Sequence, residues 1–189
     1  MITIKVLMSI RRVWYKMNGN NYIKDNLFFA EEITFDFPGE EISQNEIDEI
    51  DNFPGKEDFV HFYHVHNGGD FIDGARFYPE DCYKVSLGKA SYIAVSVFLS
   101  ISLNDVQGGN IESTKDMILL AHENYEDFML FHIPFALDAV SNPFWIDIQT
   151  GEIKYTDYEV CLNPDEDTIV VASSFKNFCK CIRKNQFKN

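Results

Sequence analysis

Between residues 93 and 103 every second residue is a large aliphatic. Ile93, Val95, Val97, Leu99, Ile101 and Leu103 are apolar, and Ser96, Ser100 and Ser102 fall between them. A period of two places the two sets on opposite faces of a strand. Such a strand has one face that must be buried, so it demands a sheet and a covering layer. Ile2, Ile4 and Val6 alternate in the same way, as do Ile33, Phe35 and Phe37 up to Pro38-Gly39. Val13 to Met17 reads as a further strand, ended by the turn residues Asn18-Gly19-Asn20. Phe128 to Phe135 and Phe144 to Ile148 read as strands, and the second joins Ile153 to Tyr155 through a turn at Gln149 to Glu152. Thr168 to Val171 reads as a short strand, and Phe77 to Val85 as loop and short strand.

Helices interrupt these strands. Ser43 and Glu46 have the spacing of a capping box, and Ile42 and Ile47 that of a hydrophobic staple. Ile47 and Ile50 mark the buried side of this short helix, which Phe53-Pro54-Gly55 ends. A second helix carries Phe59, Phe62, Tyr63 and His66 at helical spacing, and Asn67-Gly68 supplies its left-handed stop. A third runs from Ser113 to about Tyr125, with Asp116 three residues after a serine cap. Ser173 or Ser174 caps a final helix with Phe175, Phe178, Cys179 and Ile182 on one stripe. Helices and strands are interspersed without regular alternation, which indicates one α+β domain over residues 1–189. The 17 Phe and 9 Tyr favour a packed, sheet-rich interior.

The formal charge is −14, unevenly placed. Residues 31–60 hold 11 acidic side chains against Lys56 alone, whereas residues 174–189 hold five basic side chains and no acidic one. A second acidic stretch covers residues 112–167. Such a field repels nucleic acid and attracts basic proteins. Many of these carboxylates also serve solubility alone. Met1 to Val6 alternates like a strand instead of opening a signal peptide, and no apolar run reaches membrane-spanning length. Cytoplasmic residence with reduced thiols at Cys82, Cys161, Cys179 and Cys181 is the resulting expectation.

Catalytic signals are sparse. His61, His64 and His66, with Asp70 and Asp73 beyond, are metal-ligand types. On a helix His66 shares the stripe of Phe59 and Phe62, while His61 and His64 turn away from it by more than about 100°. One core histidine and two surface ones is the plainer arrangement. Cys179 and Cys181 point to nearly opposite sides of a helix, so they are no redox or zinc pair. Gly-x-Ser-x-Gly and phosphate-binding glycine loops are absent from the sequence. Phe144 and Trp145 occupy opposite faces of one strand. One is core, and the other lies beneath a helix or forms an anchor for a partner.

Several of these segments, in this order, resemble the SUKH superfamily, which contains fungal cell-wall-synthesis regulators and many bacterial immunity proteins. Ser43 to Ile47 is similar to the family's opening helix, and Phe53 to Phe59 to the proline-led start of its second. His66-Asn67-Gly68-Gly69 resembles its asparagine-glycine stop. Ile133 to Ala136, Asn142 to Asp147 and Thr150 to Ile153 resemble its central hairpin, and Ala172 to Phe178 its closing helix. The resemblance spans roughly residues 42–182. Residues 86–112 match poorly, and residues 1–40, read as N-terminal strands, are only vaguely similar. Phe53 replaces the usual leucine, and Ser141 stands where a glycine is common.

The resemblance implies a mostly antiparallel, twisted sheet with helices packed against it, and neither catalysis nor a cofactor. It implies a protein-binding domain, with many bacterial members neutralising a toxin, often a nuclease, by direct binding. The expected partner is a cognate basic toxin, not nucleic acid or membrane, and the chain is expected to act as a monomer. Candidate contacts are Glu40, Glu41, Asp48 and Glu49 near the first helix, with Glu57, His61 and His64 on the outer side of the second. A SUKH-like scaffold or regulator without a toxin partner is the alternative. A metal-dependent hydrolase using His61, His64 and Asp70 is a third reading.

Overall fold

The computed structural model describes residues 23–25, 27–36, 41–83, 90–101 and 109–185. The strands expected over Ile2–Val6 and Val13–Met17, the stop at Pro38-Gly39, the candidate Glu40 and the alternation at Ser102–Leu103 lie outside the described residues. Among the described residues nine strands form one antiparallel sheet, with seven α-helices around it. The α+β class expected from the sequence is therefore correct.

Eight strands lie in the sheet in chain order. They are β1 (Ile23–Asp25), β2 (Ile33–Asp36), β3 (Gly69–Phe77), β4 (Ile93–Phe98), β5 (His132–Asp138), β6 (Pro143–Asp147), β7 (Ile153–Tyr155) and β8 (Ile169–Ala172). A ninth, β9 (Ile182–Lys184), returns to β3. The first half of β3 pairs with β2, at Phe71 with Phe35, and its second half with β9, at Phe77 with Ile182. Between the halves Gly74 adopts φ 68°, and the register against β4 shifts between Asp70 and Ala75.

The helices are α1 (Gln44–Asp48), α2 (Lys56–Val65), α3 (Pro79–Tyr83), α4 (Ile111–Ala121), α5 (Glu126–Met129), α6 (Pro164–Asp167) and α7 (Phe175–Lys180). The predicted box at α1 is present. The Ser43 hydroxyl accepts from the Glu46 amide at 3.3 Å, and the Glu46 carboxylate accepts from the Ser43 amide at 2.7 Å. α2 buries Phe59, Phe62 and Tyr63, and the chain then turns through Asn67 at φ 44° and Gly68 at φ 82°.

The sheet is covered on both sides. Phe59 of α2 meets Phe175 of α7 at 5.1 Å between ring centroids, and Phe62 meets Phe98 of β4 at 4.9 Å. Phe144 belongs to this core, whereas its neighbour Trp145 joins a second cluster with Ile118, Tyr125 and Phe128. All five residues of β6 are buried, as a strand roofed on both faces requires. The open alternative for Trp145 thus closes: it lies beneath α4 and α5, fully buried, and its indole N–H donates to Thr156 Oγ1 at 2.9 Å. Truncating such a residue to alanine typically costs about 3–5 kcal/mol.

Several elements differ from the sequence reading. β3 and α3 occupy a stretch where no long strand or helix is expected. α4 begins at Ile111, because Asn110 is the cap and Ser113 fills the box position three residues on. Phe128 lies in α5, so the next strand starts only at His132. β4 ends at Phe98, and Ser100 is buried where it bridges Asn110. Ile182 has left the last helix for β9. The expectation of wholly reduced thiols is also corrected. Cys82 and Cys181 form a disulfide, 99 positions apart in the chain, with Cα atoms 6.1 Å apart. Cys179 is buried in the core and Cys161 is half-buried.

Candidate protein-binding surface

The segment from Glu41 to His66 carries most of the predicted contact residues. Glu41, Asp48 and Glu49 are exposed around α1, where Asp48 accepts from Gln44 Nε2 at 2.8 Å and Glu49 caps the helix. Lys56, the one basic residue of this stretch, donates to the Ile50 carbonyl at 2.6 Å and so closes the link between α1 and α2. Glu57 and His61 are exposed on α2, and His64 is half-buried one turn further. Their spacing puts all three on one side of that helix. Asp58 is paired with Lys176 of α7 at 3.2 Å. Asp48, Glu49 and Glu57 are exposed and make no ion pair among the described residues.

The other histidine of this helix faces inward. His66 is fully buried among Phe28, Phe35 and Phe62, and its Nε2 contacts the buried carboxylate of Asp25. Burial alone would raise the Asp25 carboxyl. The His66 ring and the amides of Phe28 and Leu27 outweigh it and hold Asp25 below the usual carboxylate range. His66 therefore ties β1 to the end of α2, and α2 cannot offer three histidines to one ion. His61 instead packs edge-on against Phe28 at 5.0 Å. Asp70, the third residue of the hydrolase reading, lies in β3 opposite Asp36 and Val97. No group of three or more His, Cys, Asp or Glu side chains among the described residues has metal-site geometry.

Two further polar clusters escaped the sequence reading. In the first, His132 stacks on Phe128 at 3.7 Å and donates from Nδ1 to its carbonyl at 2.7 Å. Its Nε2 accepts from Lys154 at 2.9 Å, and Lys154 also pairs with Asp147 at 2.8 Å. Burial pushes the His132 pKa down and Lys154 adds to this, against the weaker opposing pull of the Phe128 carbonyl and Asp147. For Asp147, burial raises the carboxyl, but Lys154 and the Thr150 and Gln149 amides outweigh it and hold it low. In the second cluster Asp138 accepts from the Val140 and Asn142 amides, each at 2.8 Å, from Asn142 Nδ2 at 3.2 Å and from the Tyr155 hydroxyl at 2.8 Å. Desolvation and the neighbouring Asp138 push the Tyr155 pKa up. The acceptor positions of both carboxylates are filled by the chain's own donors. These clusters brace the β5–β6–β7 hairpins and leave no carboxylate poised as a general base.

A cavity of about 300 Å³ lies between β3, α3 and β9 and is lined by Glu31, Arg76, Tyr78, Asp81, Arg183 and Lys184. Arg183 approaches Asp81 at 3.9 Å, and Arg76 stacks over the Tyr92 ring at 4.2 Å. Its described lining contains no histidine, serine or cysteine. No described helix is long and apolar enough to cross a membrane.

The segments that carry the family resemblance meet in space. Gly151, in the β6–β7 turn, sits so close to the loop before α2 that a Cβ there would stand 2.2 Å from the Pro54 carbonyl oxygen. Gly68 also lies tightly against β4, where a Cβ would come within 2.7 Å of the Phe98 carbonyl oxygen. Beside it the Asn67 side chain accepts from the Ile101 amide at 2.9 Å. No family model matches the chain, and neither the curated proteins nor the solved structures compared with it give a match.

Proposed function

We propose that this chain is a non-catalytic, SUKH-like immunity protein that neutralises a basic toxin by direct binding. The contact of Gly151 with Pro54 carries the reading. It joins two of the resembling segments, Phe53-Pro54-Gly55 and Thr150-Gly151-Glu152, into one unit, which gives their joint presence a physical reason. The exposed carboxylates Asp48 and Glu49 of the α1 end and Glu57 of α2 supply the recognition chemistry. A nuclease toxin approaches phosphates with a basic face, and an outward acidic surface competes for that face and speeds encounter.

The test pairs this chain with the product of the gene beside its own. Protection of cells expressing that product, together with a direct complex, is the expected outcome. Replacing Asp48 and Glu49 by Lys should slow association about tenfold at low salt, with the difference shrinking as salt is added. An association rate indifferent to both reversals excludes the α1–α2 face. A complex without protection favours a scaffold or regulator.

A further inference from the structure

The lid over Trp145 exposes apolar side chains that the fold does not use. On α4, Ile111, Thr114 and Ile118 turn to the sheet, while Met117 is 58% and Leu120 is 87% exposed on the outer side. Facing the end of α4 is the loop of residues 157–163, where Val160 is 70% and Leu162 is 88% exposed. Three contacts hold loop and helix end together. Asn124 Nδ2 donates to the Leu162 carbonyl at 3.2 Å, the Tyr125 hydroxyl meets Cys161 Sγ at 3.1 Å, and His122 stacks on Tyr158 at 4.5 Å. Leu120 lies in the last turn of α4, and Asn124 follows in the short turn Glu123–Tyr125 after His122 ends that helix, so Leu120 and Leu162 flank the junction these contacts hold.

Exposed carboxylates flank these apolar side chains along both segments. Residues 111–129 and 157–167 together hold ten carboxylates and one lysine, Lys115, which is paired with Glu112 at 2.9 Å. Isolated exposed leucines are ordinary, but several grouped where a helix and a loop meet, inside a rim of one sign, mark an interaction surface. The rim selects the occupant. It repels nucleic acid, anionic bilayers and the same face of a second copy.

We propose that the α4 face and the 157–163 loop form a docking surface for a basic amphipathic polypeptide, whose apolar row seats against Leu120 and Leu162 while its lysines and arginines meet the carboxylate rim. The proposal rests on the reading of the chain as a protein-binding domain and moves the apolar grip away from α1 and α2.

The probe is a synthetic amphipathic peptide with leucines at i, i+3, i+4 and i+7 and lysines on the flanking positions, titrated into the isotopically labelled full chain. Amide shifts should concentrate on α4 and residues 157–163. The pair Leu120→Asp and Leu162→Asp should weaken binding about tenfold or more, with an unchanged melting temperature because both sites are exposed. A peptide with glutamates in place of the lysines should not bind. Unchanged affinity in the double variant overturns the proposal. So do shifts centred on α1 and α2, no binding of the lysine peptide, or self-association abolished by Leu120→Asp, which would make a second copy the occupant. The cell-protection assay judges the immunity reading separately. Peptide docking without protection removes that reading alone, and protection untouched by the double variant removes this surface alone.

Discussion

Gly151 and Gly55 form a matched pair that isolates the cost of one close approach. Gly151 has φ 75° and Gly55 has φ 83°, so an alanine at either adopts the same unfavourable left-handed backbone. That penalty is about 1–2 kcal/mol, offset by about 0.4–1 kcal/mol because alanine restricts the unfolded chain more than glycine does. A Cβ on Gly55 meets nothing within 4 Å. Gly55→Ala should therefore cost about 1 kcal/mol. On Gly151 the Cβ meets the Pro54 carbonyl oxygen at 2.2 Å and its carbon at 3.1 Å. These are backbone atoms and cannot rotate aside, so overpacking adds about 1–3 kcal/mol. The shift also strains the bond from the Gly151 amide to the Asp147 carbonyl, 2.7 Å long. Gly151→Ala should thus cost about 2–4 kcal/mol in all. At this chain length each kcal/mol moves the melting midpoint by about 2–4 °C, which gives a fall of roughly 3 °C for Gly55→Ala and roughly 6–12 °C for Gly151→Ala. Urea denaturation with a common slope, checked by calorimetry, measures both. Gly74→Ala should follow Gly55→Ala, since only the Asn185 side chain comes near, at 3.5 Å. Equal losses at Gly151 and Gly55 would refute the packing of the hairpin turn on the proline loop.

Stability should respond to acid in two stages. His132 is held neutral by burial, so the unfolded chain takes up its proton first, and stability should decline as pH falls below about 6.5. His132→Gln should flatten that limb in urea melts at a series of pH values. Asp25 and Asp147 have depressed carboxyls, so their contribution holds above roughly pH 4 and disappears as pH falls through their folded values. Ser141 occupies the left-handed region at φ 71°, and Ser141→Gly should raise stability by about 0.5–1 kcal/mol in the same urea assay. The Cys82–Cys181 bridge closes a loop of 99 residues, so Cys82→Ser should cost about 2–5 kcal/mol by chemical denaturation. Thiol titration of the unreduced, unfolded wild-type chain should find two reactive cysteines, Cys161 and Cys179.

The elements that were readable from the sequence are those fixed by neighbours in the chain. The Ser43–Glu46 box, the stripe of α2 and the Asn67-Gly68 stop involve residues within a few positions of one another. The hairpin between β6 and β7 was equally plain, because Asp147 and Gly151 make the turn themselves. The missed elements draw their stability from distant partners. β3 contains two glycines and two aspartates and is a strand because β2, β4 and β9 pair along it. β9 is three residues long and partly basic, with nothing local to announce it. The alternation of β4 continues past Phe98 in sequence but not in space, because the register slips between Val95 and Val97. The disulfide was hidden for the same reason, since its halves belong to α3 and to the turn after α7. Of the candidate surface, the acidity and the outer positions of Glu57 and His61 were legible. The exposure of Leu120 and Leu162 was not, because a leucine on an amphipathic helix or at a loop's end reads as core until its neighbours are known.

The way β3 is shared has a bearing on synthesis. Half of its outer side is satisfied by β2, made earlier, and the other half only by β9, made more than a hundred residues later. Until the ribosome has passed Lys184, a nascent chain carries unmet amides and carbonyls at Ala75 to Phe77, in the middle of its principal sheet. That stretch is a template for stray pairing, and shielding it during translation falls to a chaperone or to speed.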